Sequence, residues 1–166
     1  MMNITKTISI DPADLREETL IIKRVALVVK GGRRFSFSAY VVVGNENGII
    51  GFGHGKAMDV SSAVAKASKD ARRHLVSVEL EGTTLPHSMK GGYCSSSILL
   101  MPAKPGTGVI ACTPVSAIMR LAGVHDVLTK SFGSTNTVNL GKATMDGLQK
   151  MKSRKTIEAI RGVKLA

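Results

Sequence analysis

The chain has 166 residues, with 23 Lys and Arg against 12 Asp and Glu, a formal net charge of +11 and a pI near 10.0. That balance calls for a polyanionic partner, nucleic acid first, and nothing in the sequence favours a membrane. There is no Trp, no Gly directly after Met1, no secretory apolar core, and no apolar run long enough to cross a bilayer. Cys94 and Cys112 form no CxxC pair, so neither a disulfide framework nor a metal site is signalled, and the expected compartment is the cytosol or an organelle matrix.

Residues 1–18 mix acids with scattered apolar residues without a period and read as an N-terminal arm. Leu20 to Val29 is β-branched and apolar apart from Lys23 and Arg24, and reads as a strand. After the basic loop Lys30 to Arg34, the residues Phe35, Phe37, Ala39, Val41 and Val43 alternate with Arg34, Ser36, Ser38, Tyr40 and Val42, which predicts a second, antiparallel strand. Gly44-Asn45-Glu46-Asn47-Gly48 is a turn signal, since Asn and Gly accept positive φ at low cost, and Ile49 to Phe52 supplies a third strand. Beyond Lys56, the positions Val60, Val64, Ala67, Ala71 and Leu75 recur at helical spacing, with Lys66, Lys69 and Arg73 together on another face. Residues 19–81 therefore form a first unit, a three-stranded antiparallel sheet covered by one helix.

Glu81 to Pro86 is a breaker cluster, and residues 82–152 read as a second α+β unit. Tyr93 to Met101 and Val109 to Cys112 are expected strands. Val115, Ile118, Met119 and Ala122 share a helix face ended by Gly123. Val127 and Leu128 suggest another strand, and Val138, Gly141, Met145 and Leu148 another helix. Residues 153–166 are a basic tail, equally readable as a short helix or as a disordered end.

The loop Lys30, Gly31, Gly32, Arg33, Arg34 places three cations around two glycines, so the backbone can approach a phosphate that the side chains neutralise. A solvated hairpin tip is the bland alternative, and the overall charge favours the RNA reading. Lys56 is a further contact candidate, as are Lys66, Lys69, Arg72 and Arg73 on the helix, for which a plain solvent face fits as well. Ser131, Ser134 and Asn136 precede a helix and fit ordinary capping or anion binding equally. Phe35, Phe37 and Phe52 are expected in the core as its main large fillers, which leaves Tyr40 as the better exposed aromatic. Gly51, Gly53 and Gly55 have neither dinucleotide-fingerprint spacing nor a Ser or Thr after Lys56, and are expected to form a flexible strand-to-helix joint. His54, His74, His87 and His125 show no metal spacing and no serine sits in a nucleophile elbow, so no catalytic centre, metal or cofactor is expected.

The run from Val25 through Lys30-Gly31-Gly32-Arg33-Arg34-Phe35-Ser36-Phe37, then Val42-Val43-Gly44 and Gly51-Phe52-Gly53, resembles small-subunit ribosomal protein five of the bacterial and organellar type. Pro102-Ala103, Pro105 to Val109, Ala122-Gly123-Val124, Lys130-Ser131 and Gly133 to Asn136 follow in that family's order, so the resemblance spans about residues 19 to 152. It implies a first unit like a double-stranded-RNA-binding module and a second with a βαβ-type fold shared with some small-molecule kinases. It also implies a non-catalytic role in the small ribosomal subunit, near the head and body junction, with influence on decoding accuracy. The implied partners are small-subunit ribosomal RNA, ribosomal proteins four and eight, and messenger RNA near the point where it enters.

By position, Lys30 to Arg34 looks like the family's RNA-contacting loop, Lys23 and Arg24 like neighbours facing RNA, and Lys130, Ser131, Ser134 and Asn136 like contacts from the second unit. The sequence departs from the family pattern at Cys112-Thr113-Pro114, where a glycine-rich turn is usual, at Ser116, where Arg is common, and at Arg120, where an acid is common. Two rival classes remain. A small-molecule kinase would use the glycine-rich segments at Gly51 to Gly55 and Gly106 to Gly108, and a free regulator of double-stranded RNA would use the first unit alone.

Overall fold

The computed structural model describes residues 14–163. The first sheet is antiparallel and takes its strands in chain order: β1 (Arg16–Val29), β2 (Gly32–Gly44), β3 (Ile49–Ala57) and β4 (Leu75–Ser77), with α1 (Val60–Arg73) between the last two. The second sheet contains β5 (Met89–Tyr93), β6 (Ser96–Pro102), β7 (Val109–Ile110) and β8 (Val127–Gly133), in the order β5-β6-β8-β7. Strand β7 runs parallel to β8 across α2 (Thr113–Ala122), the βαβ connection of an α+β unit, and α3 (Thr137–Lys150) and α4 (Arg154–Arg161) follow.

Several boundaries differ from the sequence expectations. The first sheet has four strands, because the helix stops at Arg73 and Leu75 turns back to pair with Gly51 instead of extending the helix. Strand β1 begins at Arg16, earlier than its apolar pattern shows, because polar contacts hold its start. Arg16 Nη1 donates to Glu46 Oε1 at 2.6 Å, and Glu17 accepts from Ser68 and Arg72. The remainder of the expected arm, 1–13, and the last three residues of the tail lie outside the described residues. The strand expected from Tyr93 to Met101 is broken by a hairpin turn between β5 and β6, with Tyr93 ending β5, Ser96 starting β6 and Cys94 in the left-handed region at φ 51. The tail contains a short helix, α4, whose Ser153 cap accepts from the Thr156 amide.

One face of the first sheet packs against α1, and the residues there are small. Ala39, Val41 and Val43 of β2 meet Ala63, Ala67 and Ala71 of α1, all essentially inaccessible. On β3 the same face carries Gly51, Gly53 and Gly55. A Cβ at these three positions would stand 2.3, 2.1 and 2.2 Å from the carbonyl oxygens of Ala71, Ala67 and Ala63. The glycines are therefore a rigid packing stripe that lets helix backbone rest on strand backbone, and the expected flexible joint is not there. Val60, expected on the buried face, is exposed instead at the first position of α1, before Ala63, the first helix residue that meets the glycine stripe.

The opposite face packs against the second unit. Val42 and Ile50 join Ile98, Leu100, Ile118, Met119, Val124 and Leu148 in one continuous core, with Leu20 and Phe52 packed at its margin. A buried carboxylate fastens the connection. Asp126 accepts from the Gly106 and Gly108 amides, both at 2.9 Å, and from the Thr83 hydroxyl at 2.9 Å, so the segment read as a breaker and the loop after Lys104 are tied to one side chain. The Gly108 amide first, then Thr83 and Gly106, hold its carboxyl below the ordinary aspartate value.

Candidate nucleic-acid interface

Strand β3 ends at Ala57, opposite Phe37, but β1 and β2 continue pairing from Val25↔Ser36 to Val29↔Gly32. Five further pairs make a two-stranded ribbon that projects about 17 Å past the sheet. Its turn is Lys30-Gly31, closed by Val29↔Gly32, with Gly32 at φ 149, a conformation that favours glycine. The expected five-residue loop is therefore a two-residue turn, and Arg33 and Arg34 are strand residues opposite Val28 and Leu27. Successive strand residues point to opposite faces, so Lys30 sits at the tip, Arg33 on one face and Arg34 on the other. This distribution suits a ribbon entering between two phosphate strands better than a cradle around one phosphate.

The ribbon is also unexpectedly apolar at its surface. Leu27 is 63% exposed, Val28 72% and Phe35 47%. Phe35 was expected in the core; it has the right parity for the α1 face but lies beyond the end of that helix. The Arg24 guanidinium stands 3.7 Å above its ring, a cation–π contact that fixes the guanidinium plane and leaves its N–H edge for an anion. Phe37 packs at the α1 margin as expected, whereas Phe52 lies on the opposite face, beside Leu20 and Gly141.

Lys23, Ser38 and Lys56 form one cross-strand row on the face away from α1, with both lysines exposed. In the adjacent row, Tyr40 stacks on His54 with ring centroids 4.5 Å apart, and the tilted Phe52 ring is 6.1 Å from Tyr40. The His54 imidazole is further held by Ser38, Oγ to Nε2 2.7 Å. On α1, Lys66, Lys69 and Arg73 share an exposed flank, as their spacing predicts. Arg72 falls on the other flank and is engaged with Glu17, at 2.7 Å from Nη2. Partial burial would raise the Glu17 carboxyl, but Ser68 and Arg72 outweigh it and hold it below the ordinary glutamate value.

In the second unit, Lys130 and Ser131 are neighbours on β8 and so face opposite sides of the sheet, with Lys130 exposed. Asn136 caps α3, its Oδ1 accepting from the Val138 amide at 3.1 Å, and Ser134 Oγ accepts from the Asn136 amide at 3.4 Å. Those two side chains hold the helix start, and anion binding there would fall to the remaining amides. Asn136 lies about 8 Å along α3 from Gly141, the residue against Phe52, so this end of the second unit borders the open face of the first sheet. Sequence reading missed Tyr93 and Lys142, whose ring and ammonium lie 4.7 Å apart beside Phe52 in a groove of about 300 Å³. Their separation along the chain carried no signal.

Neither glycine-rich segment can cradle a nucleotide. The stripe at Gly51 to Gly55 is filled by α1, and the Gly106 and Gly108 amides already bind Asp126. Among the described residues, no cluster of His, Cys, Asp and Glu could hold a metal, and no helix is long and apolar enough to cross a membrane.

Comparison with known proteins matches residues 15–79 to the family described as ribosomal protein S5, N-terminal domain, and residues 91–161 to ribosomal protein S5, C-terminal domain. The small ribosomal subunit protein uS5 of Shewanella frigidimarina is 49% identical over 150 residues, 90% of each chain. That of Buchnera aphidicola subsp. Acyrthosiphon pisum is 46% identical over 152 residues, 92% of this chain and 91% of its own.

Proposed function

This chain belongs to the ribosomal protein S5 family of the small ribosomal subunit, a structural and not an enzymatic family, and from that premise we propose how it works there. Two basic units, residues 19–81 and 82–152, bind small-subunit ribosomal RNA and fix the relative position of the segments they hold. The observation that carries this reading is the ribbon beyond Ala57, with Lys30 at its tip, Arg33 and Arg34 on opposite faces and its apolar residues uncovered. Its contacts are with phosphate and shape and not with base sequence, since three cations on a narrow ribbon reach backbone on either side.

The shared core at Val42, Ile50, Ile118 and Leu148 supports a clamp over two loosely tethered modules, because the two RNA-facing surfaces then move as one body. In this reading the protein steadies the head of the subunit relative to its body and so supports decoding accuracy. It does this in the cytoplasmic ribosome, beside ribosomal proteins four and eight and near the point where messenger RNA enters. Sedimentation with small subunits through moderate salt tests the proposal. The chain is expected to travel with the subunit, and a chain that stays at the top of the gradient would overturn it.

A further inference from the structure

The Tyr40–His54 stack is not used by the ribbon and is not explained by the core. On this face of the first sheet, α3 reaches as far as Phe52, where Gly141 lies against the ring. Beyond that point His54 is exposed, and Tyr40 is half-buried beneath it. Strand β4 pairs with β3 only as far as Gly51, so from Phe52 onward β3 has no strand neighbour on that side; Asp70 of α1 meets the backbone there, and His54 itself is exposed. The imidazole is nonetheless held in place by the Ser38 hydroxyl at its ring, and the backbone beneath it is fixed by Asp70, which accepts from the His54 backbone N–H at 3.0 Å. A fixed, exposed ring at the end of an aromatic stack presents a ready π-face to a third ring.

Charge selects the kind of ring. Lys56 follows on the same strand face, two residues from His54, and Lys23 stands across Ser38 in the same row. That row lies about 7 Å from the His54 row, close to the reach of a nucleotide from base to phosphate. Asp70, the carboxylate next to His54, is turned to the His54 amide and to His74. The patch therefore combines a stacking surface with cations on one side, the recognition chemistry of unpaired RNA.

We propose that His54, backed by Tyr40, is a stacking site for one unpaired nucleotide of RNA, with Lys56 and Lys23 receiving the adjoining phosphates. This rests on the RNA-binding reading above and adds a contact that is distinct from the ribbon.

The test uses the full chain and a ten-residue oligoadenylate with 2-aminopurine at its centre, at pH 8. Binding is expected to quench the fluorophore. His54→Ser should weaken affinity roughly 5- to 150-fold with the salt slope unchanged. His54→Tyr and Tyr40→Phe should bind like the unaltered chain, and Lys56→Ala should lower the salt slope by about one. Equal affinity and quenching in His54→Ser would overturn the site. If in the same series the Lys30, Arg33 and Arg34 to Ala variant still loses affinity for small-subunit RNA, the proposed function survives and the stacking site alone falls. In reconstituted subunits, with the exposed Cys94 and Cys112 both replaced by Ser, a photoreactive group attached through His54→Cys should crosslink to RNA, and crosslinking to protein alone would also overturn the site.

Discussion

The two ends of strand β2 belong to one continuous strand and have opposite fates. From Ser38 to Gly44 the strand lies between α1 and the second unit, and almost every residue is buried. From Gly32 to Phe35 it is exposed on both faces, although Phe35 continues the apolar alternation of Phe37, Ala39 and Val41. Alternation reports which residues share a face; what covers that face is set by where other elements end. The inner half serves as foundation, and the outer half depends on it, because a two-stranded ribbon alone is marginal in water.

The sharpest way to break this contrast is to remove core from the inner half. Ile118→Ala, in the core shared by both units, should cost about 3–4 kcal/mol, and signals from both sheets should be lost in a single urea transition. Two separated transitions would mean that the units are independent. Gly53→Ala should cost about 3 kcal/mol, because its new Cβ would meet the Ala67 carbonyl oxygen and the Ala71 amide nitrogen, backbone atoms that cannot move aside. Gly31→Ala at the ribbon turn has nothing within 4 Å and should stay within about 0.5 kcal/mol in the same measurement.

An acid titration gives a smaller effect. Because the folded-state value of Asp126 is lowered, its contribution to stability is full above the ordinary aspartate range and is lost as pH falls through the lowered value. Asp126→Asn should therefore be less stable than the unaltered chain at neutral pH, with the gap closing as the solution is acidified. A gap that stays constant down to pH 2 would contradict the assigned role of the charge. A small effect is also expected at Phe35. Its truncation to Ala should change stability by less than about 1 kcal/mol, against about 3–5 for a buried phenylalanine.

Much of the fold was legible because it rests on local periodicity. The antiparallel start, the helix with its cationic flank, the left-handed Gly123 stop after α2 and the α+β class all appear in the structure. What was not legible depends on pairs distant in sequence. Arg16 and Glu17 are held in a strand by Glu46 and by α1, Cys94 turns a hairpin inside an apolar stretch, and Asp126 gathers amides about twenty residues away. The glycines at 51, 53 and 55 show a similar limit. Their spacing was visible, but its meaning lay in the alanines that face them. At the candidate interface, the cations of the ribbon could be named as candidates from the sequence, whereas their placement on opposite faces needed the register. Arg72 illustrates the converse, since its helical position could not reveal the Glu17 that engages it.

The central claim is that the outer ribbon, standing on the inner sheet as its foundation, holds RNA phosphate through Lys30, Arg33 and Arg34. Binding of the full chain to small-subunit ribosomal RNA across a range of salt concentrations tests this most directly, comparing the unaltered chain with the variant in which Lys30, Arg33 and Arg34 are all replaced by Ala. The salt slope should fall by about three, with affinity reduced and the urea midpoint nearly unchanged. An unchanged slope in a fully folded variant would contradict the account.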